Sequence, residues 1–357
     1  MKGEIVTPSR ILVLGAAYGL LPAMRLLTAG HNVTVICRPE EQSNLVDHGA
    51  QISFKASDQR LEAPAAMGRG TPGVLGVTDA DVELSGTDLV ILAMSEPHFA
   101  APEISALIKK IGEAGLPVIS ISNAPPPPFL RRLNKLNTDA LQEAYIAWDS
   151  WQYLKPEQVT AVSPDAQAVR KNPSRLNELT VTLGSNFKVA PFHRESDQAL
   201  LERLARDVAA YEVDGRQVSV RFVPHRSLFA PLAKWPMLVT GNCRCLGSDG
   251  SMVSISDAVR SDLEASREVY EWVLELVQKT GADDSDLVPF RHYAAVSRRL
   301  IAPSSFARSV VARGGAVERV DKMVQLTGRA LGMSHGDLDA IVTFADNHML
   351  ETSSTAH

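Results

Sequence analysis

Cysteine is scarce in this sequence: Cys37, Cys243 and Cys245 are the only three in 357 residues. An odd, sparse set cannot build a disulfide framework and fits a reducing compartment, the cytoplasm. Cys243-Arg244-Cys245 has the wrong spacing for zinc and no matching pair elsewhere, so both cysteines are expected to be small buried residues. The histidines are scattered without an i,i+4 pair, and no metal site is expected. Long apolar runs are lacking too. The stretch from Ile11 to Met24 falls short of the roughly 20 residues a membrane span needs, and glycines, Tyr18 and Pro22 interrupt it. No surplus of positive charge exists: 36 Lys and Arg against 41 Asp and Glu give −5, which excludes a generally basic nucleic-acid binder. Internal repeats are absent. The one low-complexity feature, Pro125 to Pro128, is expected to be a stiff polyproline-like loop.

What remains is ordinary for a soluble globular chain, with 45% hydrophobic and 22% charged residues. At about 150 residues per domain the length suits about two domains. Short runs rich in branched apolar residues read as buried parallel strands: Ile11–Leu14, Val33–Ile36, Leu89–Leu92, Val118–Ile121 and Ala144–Ala147. Leu179–Leu183 and Val218–Val223 alternate more and read as edge or antiparallel strands. Leu200, Leu204 and Val208 predict an amphipathic helix between them. Further on, Val259, Leu263, Tyr270, Val273, Leu274 and Val277 form a helical stripe that Gly281 closes. Val320, Val324 and Leu331 form another, closed by Gly332. The expected fold is α/β, with a parallel Rossmann-type domain over 1–224, an all-helical domain over 225–350 and a flexible tail over 351–357.

The first strand runs into Gly15-Ala16-Ala17-Tyr18-Gly19, then a helix, then Gly30-His31-Asn32 and a second strand. This is the layout of a dinucleotide-binding βαβ unit, in which a tight turn points backbone N–H groups at a pyrophosphate. The loop is one residue shorter than G-x-G-x-x-G, and Ala17 replaces the second glycine. A plain strand–turn–helix without ligand is the competing account. At the end of the second strand Arg38 stands where an NAD site usually has a carboxylate, and offers a fork for a 2′-phosphate. NADP(H) is therefore the expected cofactor, with Glu40 and Glu41 close by as counter-evidence.

These residues, with Ile121-Ser122-Asn123, Leu183-Gly184, Trp235-Pro236-Met237-Leu238-Val239, Ser304-Ser305-Phe306 and Glu318-Arg319-Val320-Asp321, resemble in order and spacing the ketopantoate reductase (2-dehydropantoate 2-reductase) family. The resemblance implies a Rossmann domain followed by a helical domain of the 6-phosphogluconate dehydrogenase C-terminal type. It implies an asparagine, Asn123, beside the nicotinamide, a serine motif at Ser304 and Ser305 for a substrate carboxylate, and Glu318 facing the cofactor. Two family lysines depart: their positions hold Met237 and Ser95. A family asparagine falls on Gly241 or, one residue on, Asn242, and a later one falls near Cys245.

Hydride transfer to a ketone loads negative charge onto oxygen, so a proton donor must stand there, and a thioether cannot be one. Three accounts stay open. Lys234 replaces the missing amine; or another substrate uses His225, His292 or Ser304; or only nucleotide binding is kept. The expected set is catalytic Lys234 and Glu318, substrate-binding Asn123, Asn242, Ser304 and Ser305, and cofactor-binding Gly15, Ala16, Ala17, Tyr18, Gly19, Arg38, Ser95, Asn123 and Glu318. Structural alternatives stand beside these: an i,i+4 pair of Glu318 with Lys322, a turn role for Asn123, and a helix N-cap at Ser304. Trp148 and Trp151 either wall a bulkier substrate or pack beneath it. The expected activity is NADPH-dependent reduction of a small carboxylate-bearing carbonyl or imine. A non-catalytic nucleotide sensor and an opine-type dehydrogenase are the alternatives. A small-molecule substrate and a homodimer partner are expected, with neither nucleic acid nor membrane.

Overall fold

The computed structural model describes residues 7–64, 73–247, 249–312 and 317–354. The chain begins β1 (Arg10–Leu14), α1 (Leu20–Thr28), β2 (Asn32–Ile36), α2 (Pro39–His48), β3 (Ala50–Phe54), β4 (Arg60–Ala63), β5 (Leu75–Thr78), β6 (Leu89–Leu92), α3 (Pro102–Glu113) and β7 (Val118–Ile121). It continues with the short α4 (Pro127–Leu130) and α5 (Trp148–Trp151), then β8 (Val159–Val162), β9 (Gln167–Val169), β10 (Glu178–Leu183), β11 (Phe187–Val189) and α6 (Glu195–Ala210). The hairpin β12 (Glu212–Val213) and β13 (Arg216–Gln217) and the strand β14 (Phe222–Pro224) follow.

Two compact units form. One takes the chain up to Met94, Ala101–Phe129 and Asp149–Leu228; the other takes Ser95–Ala100, Leu130–Trp148 and the chain from Phe229 on. Two short segments of the first half thus belong to the unit that holds the chain from Phe229 on.

The first unit is built on a six-stranded sheet in the order β5-β2-β1-β6-β7-β8, parallel at every pairing. β1, β6, β7 and β8 are almost wholly buried, as strands covered on both faces must be. The order runs outward from β1 to β2 and β5 on one side, and from β6 to β7 and β8 on the other. The reversal between β1 and β6 is the switch point at whose carboxyl end α/β sheets bind ligands. The last strand corrects an expectation: Ala144–Ala147 is not a strand. Thr138–Ala144 is a 3₁₀ helix, and Val159–Val162 takes the sheet position. Ala-Tyr-Ile-Ala is apolar because Tyr145 is buried in the other unit, while Ile146 is exposed.

A second sheet, β4-β3-β10-β9, holds β10 in an interior position, parallel to β3 and antiparallel to β9. Leu179–Leu183 is therefore neither an edge nor a purely antiparallel strand. Of Val218–Val223 only the end pairs, through β14 parallel to β11. Before it the chain bends, with Val220 at φ 64°. Arg25 on α1, fully buried, holds the bend by donating to the carbonyls of Val208, Val218 and Val220. Backbone groups bound to a side chain are not available to a ladder. α6 forms where the periodicity placed it, with Leu204 and Val208 buried; Leu200 of the expected stripe is half-buried, and Leu201 beside it is buried instead.

Among its described residues the second unit is helical apart from one bridge, Leu246 to Met252. It holds α7 (Trp235–Met237), α8 (Ile255–Arg260), α9 (Leu263–Lys279), α10 (Phe290–Ser297), α11 (Ser305–Val311), α12 (Val320–Ala330) and α13 (Gly336–Ser354). The stripe read as starting at Val259 is two helices. Asp262 caps α9 by accepting the N–H groups of Glu264 and Ala265, so Val259 belongs to α8. Gly281 and Gly332 do follow α9 and α12, both at positive φ. Pro125–Pro128 is not polyproline throughout: Pro127 and Pro128 open a helical turn, where a missing N–H costs nothing. α13 runs to Ser354, and residues 355–357 of the expected tail lie outside the described residues.

Candidate functional site

The turn from Gly15 to Gly19 stands at the carboxyl end of β1, beside the switch point. Gly15 adopts φ +104°, and a Cβ there would lie 2.6 Å from Met94 Cγ and 3.0 Å from the Ala93 carbonyl. At Gly19 a Cβ would lie 2.0 Å from the Gly15 carbonyl and 2.9 Å from Val13 Cγ1. The first glycine makes the turn and the last lets α1 pack onto the strand, the two roles the fingerprint assigns to such residues. Between them Ala16 is buried and Ala17 is exposed at the tip. Tyr18 donates its hydroxyl to the Ala166 carbonyl at 2.8 Å, tying the loop to the segment before β9. The residues present fit a dinucleotide cradle despite the shorter spacing.

Arg38 sits at the end of β2 as the residue before α2, with its side chain 68% exposed. Its guanidinium does not stand alone. Nη2 and Nε lie 3.3 and 3.4 Å from the Glu41 carboxylate, which also accepts the Arg38 backbone N–H at 3.2 Å. Arg170, beyond β9, donates from Nη1 to Glu41 at 2.7 Å and from Nη2 to the Ala16 carbonyl at 3.1 Å. Burial alone would raise the Glu41 carboxyl; the hydrogen bonds from Arg38 and Arg170 outweigh it and hold the group below the usual carboxylate range. The neighbouring Cys37 thiol is pushed up to about 12 by burial and by Glu41, against the pull of the two arginines. It is inert at neutral pH. Sequence reading missed Arg170 entirely, because nothing local marks a residue 154 positions from the loop it touches.

Asn123 is half-buried just past the carboxyl end of β7, on the same edge of the sheet as the Gly15–Gly19 turn. Ser122 fixes the turn there: its hydroxyl bonds the carbonyl and N–H of Ala124. Ser95 belongs to the second unit, where its carbonyl accepts the N–H of His98 and starts the 3₁₀ turn Glu96–Ala100. Next to it lies a residue the sequence did not flag. Glu96 is buried, and its carboxylate accepts the N–H groups of Ile146 and Ala147 at 3.1 and 2.8 Å. The buried Tyr145 hydroxyl is held well above its ordinary range by burial, then by Glu96 and Glu318.

In the second unit Lys234 is half-buried and ends the 3₁₀ turn Leu232–Lys234; α7 and a π-helical turn, Leu238–Asn242, follow without a break in right-handed backbone. Lys234 and Met237 are thus i,i+3 neighbours. The π turn, a feature frequent at functional sites, inserts one residue per turn. It advances Asn242 to about where a regular helix would put residue 241. Gly241 is turned inward, where a Cβ would lie 1.7 Å from Tyr293 Oη. The half-buried Asn242 occupies the more open side.

Ser304 is the N-cap of α11: its hydroxyl accepts the Ala307 N–H and donates to the Asn242 carbonyl at 2.6 Å. Ser305 beside it is exposed. Glu318 is half-buried and precedes α12, so the expected helical i,i+4 pair with Lys322 has no helix to sit on. Lys322 pairs with Asp346 at 3.0 Å and Glu143 at 3.7 Å. His225 Nδ1 accepts the Ser227 N–H in a turn, and His292 is exposed on α10. Trp151 is buried and packs as core. Trp148 is half-buried, with the Arg131 guanidinium 5.7 Å from its ring centre. Cys243 and Cys245 are buried and free. Among the described residues no group of three or more His, Cys, Asp or Glu side chains is placed to hold a metal ion, and no helix is long and apolar enough to cross a membrane.

No protein-family model matches the chain, and no curated protein matches its sequence. Solved structures do match along nearly the full length. A ketopantoate reductase from Ralstonia eutropha JMP134 is 18% identical with a TM-score of 0.63, over 98% of this chain and 100% of its own. D-mandelate dehydrogenase with NADH and anilino(oxo)acetate is 14% identical with a TM-score of 0.65, over 96% and 99%. A dimeric ketopantoate reductase from Staphylococcus aureus is 12% identical with a TM-score of 0.62, over 96% and 99%. The chain has the fold of these enzymes.

Proposed function

We propose that the protein is an NADPH-dependent reductase of a small carboxylate-bearing carbonyl or imine compound. The observation that carries this is the Gly15–Gly19 turn at the switch point of a parallel sheet, with a guanidinium at the end of the second strand. The fold likeness supports it, and the neighbour holding NADH and anilino(oxo)acetate directs attention to 2-oxo acids. Ala16, Ala17, Tyr18 and Gly19 offer backbone N–H groups to the pyrophosphate at the start of α1, while Gly15, whose own N–H is donated to the Ile36 carbonyl, makes the turn. Arg38 takes the 2′-phosphate. The dinucleotide, when bound, supplies the hydride.

The chain's own residues supply the rest. Lys234 Nζ donates the proton to the substrate oxygen and stabilises the charge that builds there. Asn123 orients the nicotinamide or the substrate through its amide. Asn242 and Ser305 bind the substrate carboxylate. Ser304, whose hydroxyl is engaged by Asn242 and Ala307, fixes Asn242 in place. A homodimer in the cytoplasm completes the proposal.

Steady-state oxidation of NADPH with ketopantoate, other 2-oxo acids, and 2-oxo acids paired with amines tests the assignment. Turnover of one or more oxo acids is expected, with ketopantoate itself a poor substrate because Met237 and Ser95 stand where lysines would. Activity only when amine and oxo acid are both supplied moves the protein to opine-type chemistry. Met237 favours one rival, a nucleotide-binding protein without turnover; saturable NADPH binding with no hydride transfer across the panel would establish it.

A further inference from the structure

The guanidinium of Arg170 is better anchored than that of Arg38 at the proposed nucleotide site, yet it comes from the segment just after β9 and no step above uses it. It is only 16% exposed. One nitrogen bonds Glu41, another bonds the Ala16 carbonyl of the turn, and Nε is buried with no hydrogen-bond partner among the described residues. Arg38, by contrast, is mostly exposed and meets the same carboxylate at longer distances.

We infer that Arg170 sets which dinucleotide the site prefers, acting through Glu41 as a positioning residue. The inference rests on reading this turn as a dinucleotide site. Arg38 alone with Glu41 is a neutral pair, and a 2′-phosphate approaching it meets a carboxylate as well as a guanidinium. Arg170 compensates Glu41 from the protein side. Within the hydrogen-bonded trio, two guanidinium groups and one carboxylate then leave one net positive charge on the exposed Arg38 fork; Glu40, exposed and acting on Arg38 through space alone, offsets part of it in every variant alike. A phosphate dianion responds to that charge; an unphosphorylated ribose diol does not. The bond to Ala16 also steadies the turn, but that part acts on both nucleotides alike, since both carry the pyrophosphate.

The test is the dissociation constant of NADPH and of NADH, by fluorescence titration at low ionic strength, for wild type, R170Q, E41Q and the R170Q/E41Q double variant. R170Q is expected to weaken NADPH about tenfold and NADH less than about twofold, the scale of one charge-assisted contact. Adding E41Q removes the uncompensated carboxylate and is expected to return NADPH to within about threefold of wild type. Equal weakening of both nucleotides by R170Q, or failure of E41Q to restore NADPH, overturns the inference. Should R170Q not fold, R170K keeps the charge and is expected to keep the preference; a folded R170K without it is equally contradictory. Wild type that binds neither nucleotide removes the dinucleotide reading itself. Wild type that binds NADPH, with the variants indistinguishable from it, removes the inference alone.

Discussion

Lys234 precedes Met237 by three residues on unbroken right-handed backbone, so its amine issues from the same helical face one turn earlier. Pro236 does not disturb this, because it lies in the first turn of α7, where no N–H is required. Replacing Lys234 by Ala is expected to lower kcat on the best oxo acid by about 10²–10⁴-fold, the range for loss of a general acid. KM is expected to move little, since the proton is delivered in the transition state. Steady-state kinetics check this; unchanged turnover removes Lys234 from the mechanism.

The same relationship makes a gain-of-function variant informative. Met237→Lys in the Lys234→Ala background places an amine one turn further on. Partial recovery of kcat, by about tenfold or more, is expected if the two positions reach the same oxygen. The recovery is read in the same assay at saturating substrate.

Arg25 is expected to be a stability determinant. It has no exposed surface and serves three carbonyls around the bend at Val220. Arg25→Met fits the volume but leaves those carbonyls without a donor, with an expected loss of about 3–5 kcal/mol. Urea denaturation followed by far-ultraviolet circular dichroism measures it.

Acid is expected to destabilise the fold from about pH 6.5 downward. His31 is fully buried; its Nδ1 accepts the Ser9 N–H and its Nε2 lies 3.3 Å from Asp207. Burial lowers its pKa and outweighs the raising effect of Asp207. The unfolded chain therefore takes up a proton at a pH where the folded chain does not, and stability falls as pH falls through that window. Glu41 adds to the loss at lower pH, its carboxyl lying below the unfolded value when folded. Urea midpoints at pH 7.5 and 5.5 should differ in this direction, and His31→Gln should shrink the difference.

Legibility in the sequence followed locality. β1, β2, β6 and β7 were readable because buried parallel strands are continuous runs of Val, Ile and Leu, and α6, α9 and α12 because their stripes repeat at helical spacing. Val159–Val162 was not readable: Val-Thr-Ala-Val is short and weakly apolar, whereas Ala144–Ala147 looks like a strand but owes its apolar residues to packing in another unit. The loop Gly15–Gly19 and Arg38 were visible through their position after strands. Arg170 and Glu96 were not, because each acts on backbone or charge far away in sequence, at Ala16 and at Ile146 and Ala147. The π turn Leu238–Asn242 was hidden as well, because nothing in Leu-Val-Thr-Gly-Asn marks a wider turn within right-handed backbone.

Isothermal titration of NADPH and NADH into the protein, up to millimolar concentration, tests the central claim most directly. Saturable uptake of NADPH at one site per chain, tighter than NADH, is the predicted result. Heat no different from dilution for both nucleotides would contradict the account.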